Sequence, residues 1–170
     1  MLQTNDVMGA IDPVPLGSLG DFDFFVGTWR VAHRRLVGRL VGSTTWEEFE
    51  GESTMRKILG GTGNIDENVI RLPKGTYEAV TLRLFNPDTR LWSIYWIDGR
   101  MLTIDSPMVG GFEGRHGLFY GDDMHQGQPV RVRFRWFDDA PDRCRWEQAF
   151  SIDGGQSWET NWYMDNQRIG

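Results

Sequence analysis

Three polar residues could do acid–base chemistry inside a folded domain: His33, Glu48 and Tyr95. Each lies in or beside a run in which apolar and polar residues alternate, so each could face the same interior as the apolar set. An imidazole, a carboxylate or a phenol enclosed in a pocket can hold or deliver a proton. These three residues are therefore the candidate catalytic groups.

His33 has the same parity as Trp29 and Val31 along one predicted strand. If the strands form a barrel and Trp29 closes one end of it, His33 points into the interior. We then expect His33 to be a hydrogen-bonded residue of an internal pocket. An inward histidine could also be the axial ligand of a haem. Haem-binding β-barrels carry the histidine that binds the iron late in the chain. Residues 143–164, which are predicted to form the last two strands here, contain no histidine. We therefore expect no cofactor.

Glu48 belongs to an acidic segment, residues 45–52, in which glutamates occur at both parities. One interpretation is a solvated face opposite arginines of neighbouring strands, such as Arg34, Arg56 or Arg133. The other is that Glu48 faces the interior, where enclosure would raise the pKa of its carboxyl. Both interpretations remain open from sequence.

Two further motifs have local explanations. Residues 151–158 match one copy of the Asp-box pattern, which predicts a hairpin turn stabilised by its own side chains. Asp122, Asp123 and His125 could hold a cation, but their spacing is poor for metal ligation and predicts a solvated turn, so no metal site is expected. Cys144 alternates with arginines and is expected to be buried and unreactive.

Alternation of apolar and polar residues predicts strands along nearly the whole chain, as in residues 130–136, 92–96 and 146–150. Turn-forming pairs such as Lys74-Gly75 and Asp98-Gly99 separate the runs. About ten strands follow, with no helix long enough for a parallel crossover. The sequence predicts an all-β fold, a single antiparallel up-and-down β-barrel with a short N-terminal helical turn.

The predicted inner surface is rich in rings, with a few hydrogen-bonding groups among them. Flat aromatic side chains with convergent polar groups suit a pocket for a planar apolar molecule. Several strands cannot all direct rings inward without restricting the space, so we expect a narrow cavity. The candidate ligand-binding residues are His33, Trp92, Tyr95, Trp96, Phe134, Trp136, Trp146, Gln148, Asn161 and Tyr163.

The segment Phe22–Trp29 ends in Gly27-Thr28-Trp29 after the helical turn. In this it resembles lipocalins and the wider calycin group, where a short helical turn precedes a Gly-x-Trp on the first strand. From Phe22 to Met164 the chain resembles a bacterial family of lipocalin-like domains with no known activity. The resemblance implies a late arginine packed over Trp29, for which Arg168 is the candidate.

Composition sets the remaining expectations. The 170 residues include 18 basic and 24 acidic side chains, a net charge of -6 that argues against nucleic-acid binding. No apolar run is long enough for a membrane span and no secretory signal is visible. With a single cysteine, a cytoplasmic location is expected. Residues 1–17 are predicted to be a flexible leader and residues 18–170 the barrel domain.

Three classes of function fit this picture. The leading hypothesis is an intracellular binding protein for a small hydrophobic or aromatic metabolite. The second is a cofactor-independent isomerase, cyclase or decarboxylase that uses His33, Glu48 or Tyr95. The third is an interaction module, such as a homodimer formed through exposed aromatic residues.

Overall fold

The computed structural model describes residues 13–170, and strands make up most of them. Two short 3-10 helices, Asp23–Phe25 and Leu59–Gly61, accompany the strands. No helix in residues 13–170 is long and apolar enough to cross a membrane. The strands are β1 (Gly27–Leu36), β2 (Trp46–Ile58), β3 (Gly63–Leu72), β4 (Gly75–Asn86), β5 (Leu91–Asp98), β6 (Thr103–Ile104), β7 (Met108–Glu113), β8 (His116–His125), β9 (Gln128–Ala140), β10 (Arg143–Ser151) and β11 (Glu159–Arg168).

The strands form one antiparallel sheet that closes on itself. The order is β4-β3-β2-β1-β11-β10-β9-β8-β7-β5-β6, and an additional pairing of β4 with β5 joins the two sides. Ten strands therefore make a closed barrel, and β6 pairs with β5 as one extra strand. The predicted all-β, up-and-down barrel of about ten strands with a short N-terminal helical turn is confirmed.

The predicted leader, residues 1–17, lies outside the described residues as far as residue 12. Of its remaining residues, Gly17 is hydrogen-bonded to the barrel: its amide donates to the Arg90 carbonyl at 2.8 Å. The guanidinium of Arg90 donates back to the Gly17 carbonyl at 3.3 Å. The chain is thus attached to the barrel one residue before the predicted domain boundary.

Aromatic rings close the end of the barrel at which β1 begins. Trp29 is fully buried, stacks on Phe25 at 5.2 Å, and donates its indole N–H to the Phe25 carbonyl at 2.9 Å. Edge-on contacts of Phe22 with neighbouring rings continue the packing. We call this set the aromatic plug: Phe22, Phe25, Trp29, Trp92, Phe112 and Phe119.

Arg168 covers the outside of this plug, as the resemblance implied. It is the cross-strand neighbour of Trp29, and its guanidinium lies 4.2 Å from the centre of the Trp29 ring. The same group donates to the carbonyls of Val26 at 2.5 Å and Phe24 at 2.6 Å. Arg168 therefore joins the last strand to the N-terminal turn at the closed end.

The hairpin between β10 and β11, at the opposite end, has the predicted Asp-box geometry. Asp153 accepts hydrogen bonds from the hydroxyls of Ser151 and Ser157, and the Trp158 indole donates to the Gly155 carbonyl at 3.0 Å. These hydroxyl donors hold the pKa of the Asp153 carboxyl well below its usual range. The motif stabilises its own turn.

We expect Arg168→Ala to lower the free energy of unfolding by about 2–4 kcal/mol, because it removes three charged hydrogen bonds, to the carbonyls of Val26, Phe24 and Pro141, and the contact with Trp29. Urea unfolding monitored by tryptophan fluorescence measures this. The control is Arg143→Ala, an exposed arginine paired at 3.5 Å with Asp165, which should cost no more than about 1 kcal/mol. Equal losses in the two variants would contradict the assigned role of Arg168.

Candidate functional site

A cavity of about 280 Å³ lies inside the barrel between the aromatic plug and the opposite, open end. Side chains from all ten strands of the barrel, β1 to β5 and β7 to β11, line it. Its volume is just below the roughly 300–1,000 Å³ typical of ligand pockets. This small volume agrees with the narrow cavity expected from the sequence.

Five of the aromatic residues that line the cavity come from β5, β9, β10 and β11. Phe134 meets Trp146 edge-on at 4.8 Å, and Trp146 meets Trp162 edge-on at 5.8 Å. These contacts fix the rings relative to one another and leave flat apolar faces for a ligand. We call this set the aromatic wall: Trp96, Phe134, Trp136, Trp146 and Trp162.

His33 lines the cavity and is only 4% exposed. Its ring stacks on Phe49 at 4.7 Å, and its Nδ1 accepts the Trp162 indole N–H at 3.2 Å. A histidine that accepts at Nδ1 carries its proton on Nε2. Burial, assisted by the charge of Arg35, lowers the pKa of His33 to about 3. The imidazole is therefore neutral near pH 7.

A buried ion pair forms the floor of the cavity, where it meets the plug. Arg83 and Asp66, each 2% exposed, are paired through the guanidinium, which lies 4.9 Å from the Phe22 ring. Asn64 accepts from Arg83 at 3.0 Å, and Asn68 donates to Asp66 at 2.9 Å. The amides stabilise two charges that would be costly to bury alone.

Two ion pairs lie at the mouth of the cavity. Arg35 donates to Glu47 at 2.6 Å, and Arg100 donates to Asp98 at 2.7 Å while its guanidinium lies 3.7 Å from the Tyr77 ring centre. Hydrogen bonds from Arg100 hold the pKa of Asp98 low. Burial raises the pKa of the Tyr77 phenol. The mouth of the cavity is therefore lined by paired charges.

Acidic residues face the cavity from the connection after β5 and from the end of β8. Burial and the charges of Asp123 and Asp98 raise the pKa of Asp105. Asp122 pairs with Arg131 at 3.1 Å. In the described part of the chain no three histidine, cysteine or acidic side chains are grouped to hold a metal ion, so Asp122, Asp123 and His125 do not form such a cluster.

Six of the ten predicted ligand-binding residues line the cavity: His33, Trp96, Phe134, Trp136, Trp146 and Gln148. Trp92 is buried in the plug instead. Tyr95 is partly exposed and does not line the cavity, because Trp92, Ile94 and Trp96 occupy the inner face of β5. The structure therefore brings together the residues on β9 and β10 and separates them from Tyr95.

Asn161 and Tyr163, both on β11, depart from expectation for two different reasons. Trp162, rather than either neighbour, lines the cavity from β11. Tyr163 packs outside the barrel against Trp46 at 5.5 Å. A register shift opposite Gln148 leaves Asn161 fully buried, where it accepts the Gln148 amide at 2.9 Å. Neither Asn161 nor Tyr163 lines the cavity.

Glu48 is on the outside of the barrel. It is exposed and lies opposite Arg34 in the pairing of β1 with β2. Glu47, its neighbour, faces the cavity mouth and pairs with Arg35. Of the two interpretations left open by the sequence, the solvated face agrees with the position of Glu48 and the inward carboxylate does not.

Several important cavity residues were not among the candidates. Asp66 and Asn68 line the cavity from β3, and Asn64 is buried on the same face, whereas Ile65 and Val69 face outward, so apolar alternation gives the wrong face there. Arg39 lies between β1 and β2, outside any periodic pattern. Trp162 could have been found from the alternation of Trp158, Thr160 and Trp162. Tyr77 and Arg83 had no comparable signal.

Cys144 is fully buried in the core, as predicted. Burial raises the pKa of its thiol to about 12, so it stays protonated near pH 7. Because the thiolate is the reactive form of cysteine, Cys144 offers no nucleophile to the cavity.

The S-type phycobiliprotein lyase CPES from Guillardia theta has a similar structure, with a TM-score of 0.58 and 11% sequence identity. The match covers 88% of this chain and 90% of the lyase chain. No protein-family model and no curated protein matches the sequence. Together with the closed ten-strand barrel, the structural match shows a lipocalin-like fold.

The burial of His33 should make the free energy of unfolding depend on pH. Its pKa of about 3 lies below the ordinary 6.5, so below pH 6.5 the unfolded chain binds a proton that the folded chain does not. The stabilisation is present above pH 6.5 and is lost as the pH falls toward 3. By about pH 4.5 we expect the loss from this group to reach about 3 kcal/mol.

His33→Gln should remove that part of the acid sensitivity. Urea unfolding at about pH 7.5 and about pH 4.5 measures the difference, with His116→Gln as the exposed-histidine control. If the wild type and His33→Gln lost equal stability between the two pH values, His33 would not be the group responsible.

Asp66→Leu should cost about 3–5 kcal/mol of stability, because it leaves the Arg83 charge buried without its carboxylate. The double variant Asp66→Leu with Arg83→Met removes both charges and should cost less than the single variant. Urea unfolding of the wild type, both single variants and the double variant completes the cycle. Additive losses would contradict the coupling of the two residues.

Proposed function

We propose that this protein binds a small, flat and largely apolar molecule inside its barrel. The observation that carries the proposal is the cavity of about 280 Å³ inside the barrel, which opens at one end and has an aromatic wall. Such a surface gives apolar contact area at low entropic cost. A few polar groups at fixed positions can then orient the ligand.

The proposed ligand contacts are six cavity residues named from sequence, together with Trp162. The aromatic wall would stack against the ligand, and Gln148 and the Nε2–H of His33 would offer hydrogen bonds. The similar structure of a phycobiliprotein lyase adds analogy, because its name connects a barrel of this kind with pigment-carrying proteins. A conjugated planar ligand is consistent with that analogy.

The positions of the candidate catalytic residues, and the low pKa of His33, favour a binding function over a catalytic one. Of the three candidate catalytic groups, His33 lines the cavity, whereas Glu48 and Tyr95 do not. With a pKa of about 3, His33 is a weak base near pH 7. Because His33 accepts the Trp162 indole N–H at Nδ1, its ring proton is on Nε2, so that nitrogen has no free lone pair for a haem iron.

Native mass spectrometry of the protein purified from its own host would test the proposal directly. We expect a copurifying molecule with conjugated rings. For a defined probe, 1-naphthamide should change the tryptophan fluorescence, because four indoles belong to the aromatic wall. Hemin, added in a parallel titration, tests the haem alternative through its absorption spectrum.

Val31→Phe should weaken 1-naphthamide binding at least tenfold, because Val31 lines the cavity and a phenyl ring there takes up ligand space. The control is Val69→Phe, which makes the same change on the outer face of β3 and should alter affinity less than twofold. Circular dichroism and thermal melts verify that both variants fold. Unchanged affinity in folded Val31→Phe would place the probe outside the barrel.

A further inference from the structure

Arg39 is a cation turned toward the cavity from the connection between β1 and β2. Its guanidinium lies 5.7 Å from the Phe150 ring centre and 6.0 Å from that of Trp162. The adjacent Leu40 fixes the connection, since its amide donates to the Glu159 carboxylate at 2.8 Å and its side chain packs against the core. Arg39 is therefore held beside the aromatic wall.

Arg39 differs from the other arginines of the cavity in its pairing. Arg35, Arg83 and Arg100 each form an ion pair with a carboxylate. Arg39 forms neither an ion pair nor a hydrogen bond with any residue between 13 and 170. The acidic groups whose charges reach it, Glu47 and Glu159, are engaged by Arg35 and by the Leu40 amide.

A half-buried guanidinium without a carboxylate partner is partly desolvated and its charge is not compensated by an ion pair. Burial and the neighbouring Arg35 lower the pKa of Arg39, the signature of a charge that lacks compensation. A carboxylate accepts two parallel hydrogen bonds from a guanidinium and supplies that compensation. The vacant donors of Arg39 thus match an anionic ligand group.

The opposite side of the mouth limits how much negative charge a ligand can carry. In the ring of ten strands β7 stands opposite β1, so the connection before β7 faces the connection that carries Arg39. Asp98, Asp105 and Asp123 line the cavity from that side. A second carboxylate near them would be repelled. The mouth therefore favours a monoanion whose charge is directed to Arg39.

We propose that Arg39 binds the carboxylate of the ligand and that the barrel takes small aromatic monocarboxylates, with the ring on the aromatic wall and the anion at the mouth. This inference rests on the proposed function, since it specifies the ligand class for the same cavity. It adds a charge requirement that a purely apolar pocket would not have.

Isothermal titration calorimetry with 1-naphthoate and its neutral analogue 1-naphthamide tests the inference. We expect wild-type protein to bind 1-naphthoate at least tenfold more tightly than 1-naphthamide. Arg39→Gln should weaken 1-naphthoate at least tenfold and leave 1-naphthamide within twofold. The matched control is Arg71→Gln, the same change at an exposed residue on the outer face of β3, which should bind both probes as the wild type does.

The outcomes separate this inference from the proposed function. If 1-naphthamide binds and Arg39→Gln binds 1-naphthoate as tightly as the wild type does, the carboxylate role is overturned and the binding function stands. If neither probe binds the folded wild type, both proposals are overturned. Circular dichroism of each variant verifies that a loss of binding does not come from unfolding.

Discussion

Closure of the sheet is the constraint on which the rest of the structure depends. The pairing of β4 with β5 leaves each of the ten barrel strands with two neighbours, so no barrel strand is an edge that needs cover. Because successive side chains of a strand point to opposite faces, closure directs half of them into one interior. The bulk of those inward side chains then decides where the barrel is filled and where it is hollow.

The interior changes in character along the barrel axis. Large rings fill the closed end, whereas smaller residues such as Ser53 and Thr81 are among those that line the cavity. The charges within are arranged in pairs, from Arg83 with Asp66 at the floor to Arg35 with Glu47 at the mouth. Pairing makes these charges tolerable in a poorly solvated space and also fixes the shape of the cavity.

Alternation of apolar and polar residues was sufficient to predict the barrel fold. It was also sufficient to predict which residues face inward on β1, β9 and β10, because aromatic side chains occupy the inner face of these strands. It failed where polar residues face inward: on β3 the interior set includes Asp66, which no apolar pattern reveals. On β2 glutamates occupy both parities, so the choice between Glu47 and Glu48 depends on register with β1. On β11 a shift opposite Gln148 changes which residues face inward.

The hydrogen bond from the Leu40 amide to Glu159 links the first connection of the barrel to its last strand, across 119 positions of sequence. Any swing of that connection away from the entrance must break it, together with the packing of Leu40 on the core. A hydrogen bond to a charged group contributes about 1.5–3 kcal/mol, which corresponds to roughly a 10-fold to 150-fold lower population of the swung-out form. Passage of a small molecule through this side would require that swing and would be slower by the same factor than past an untethered connection.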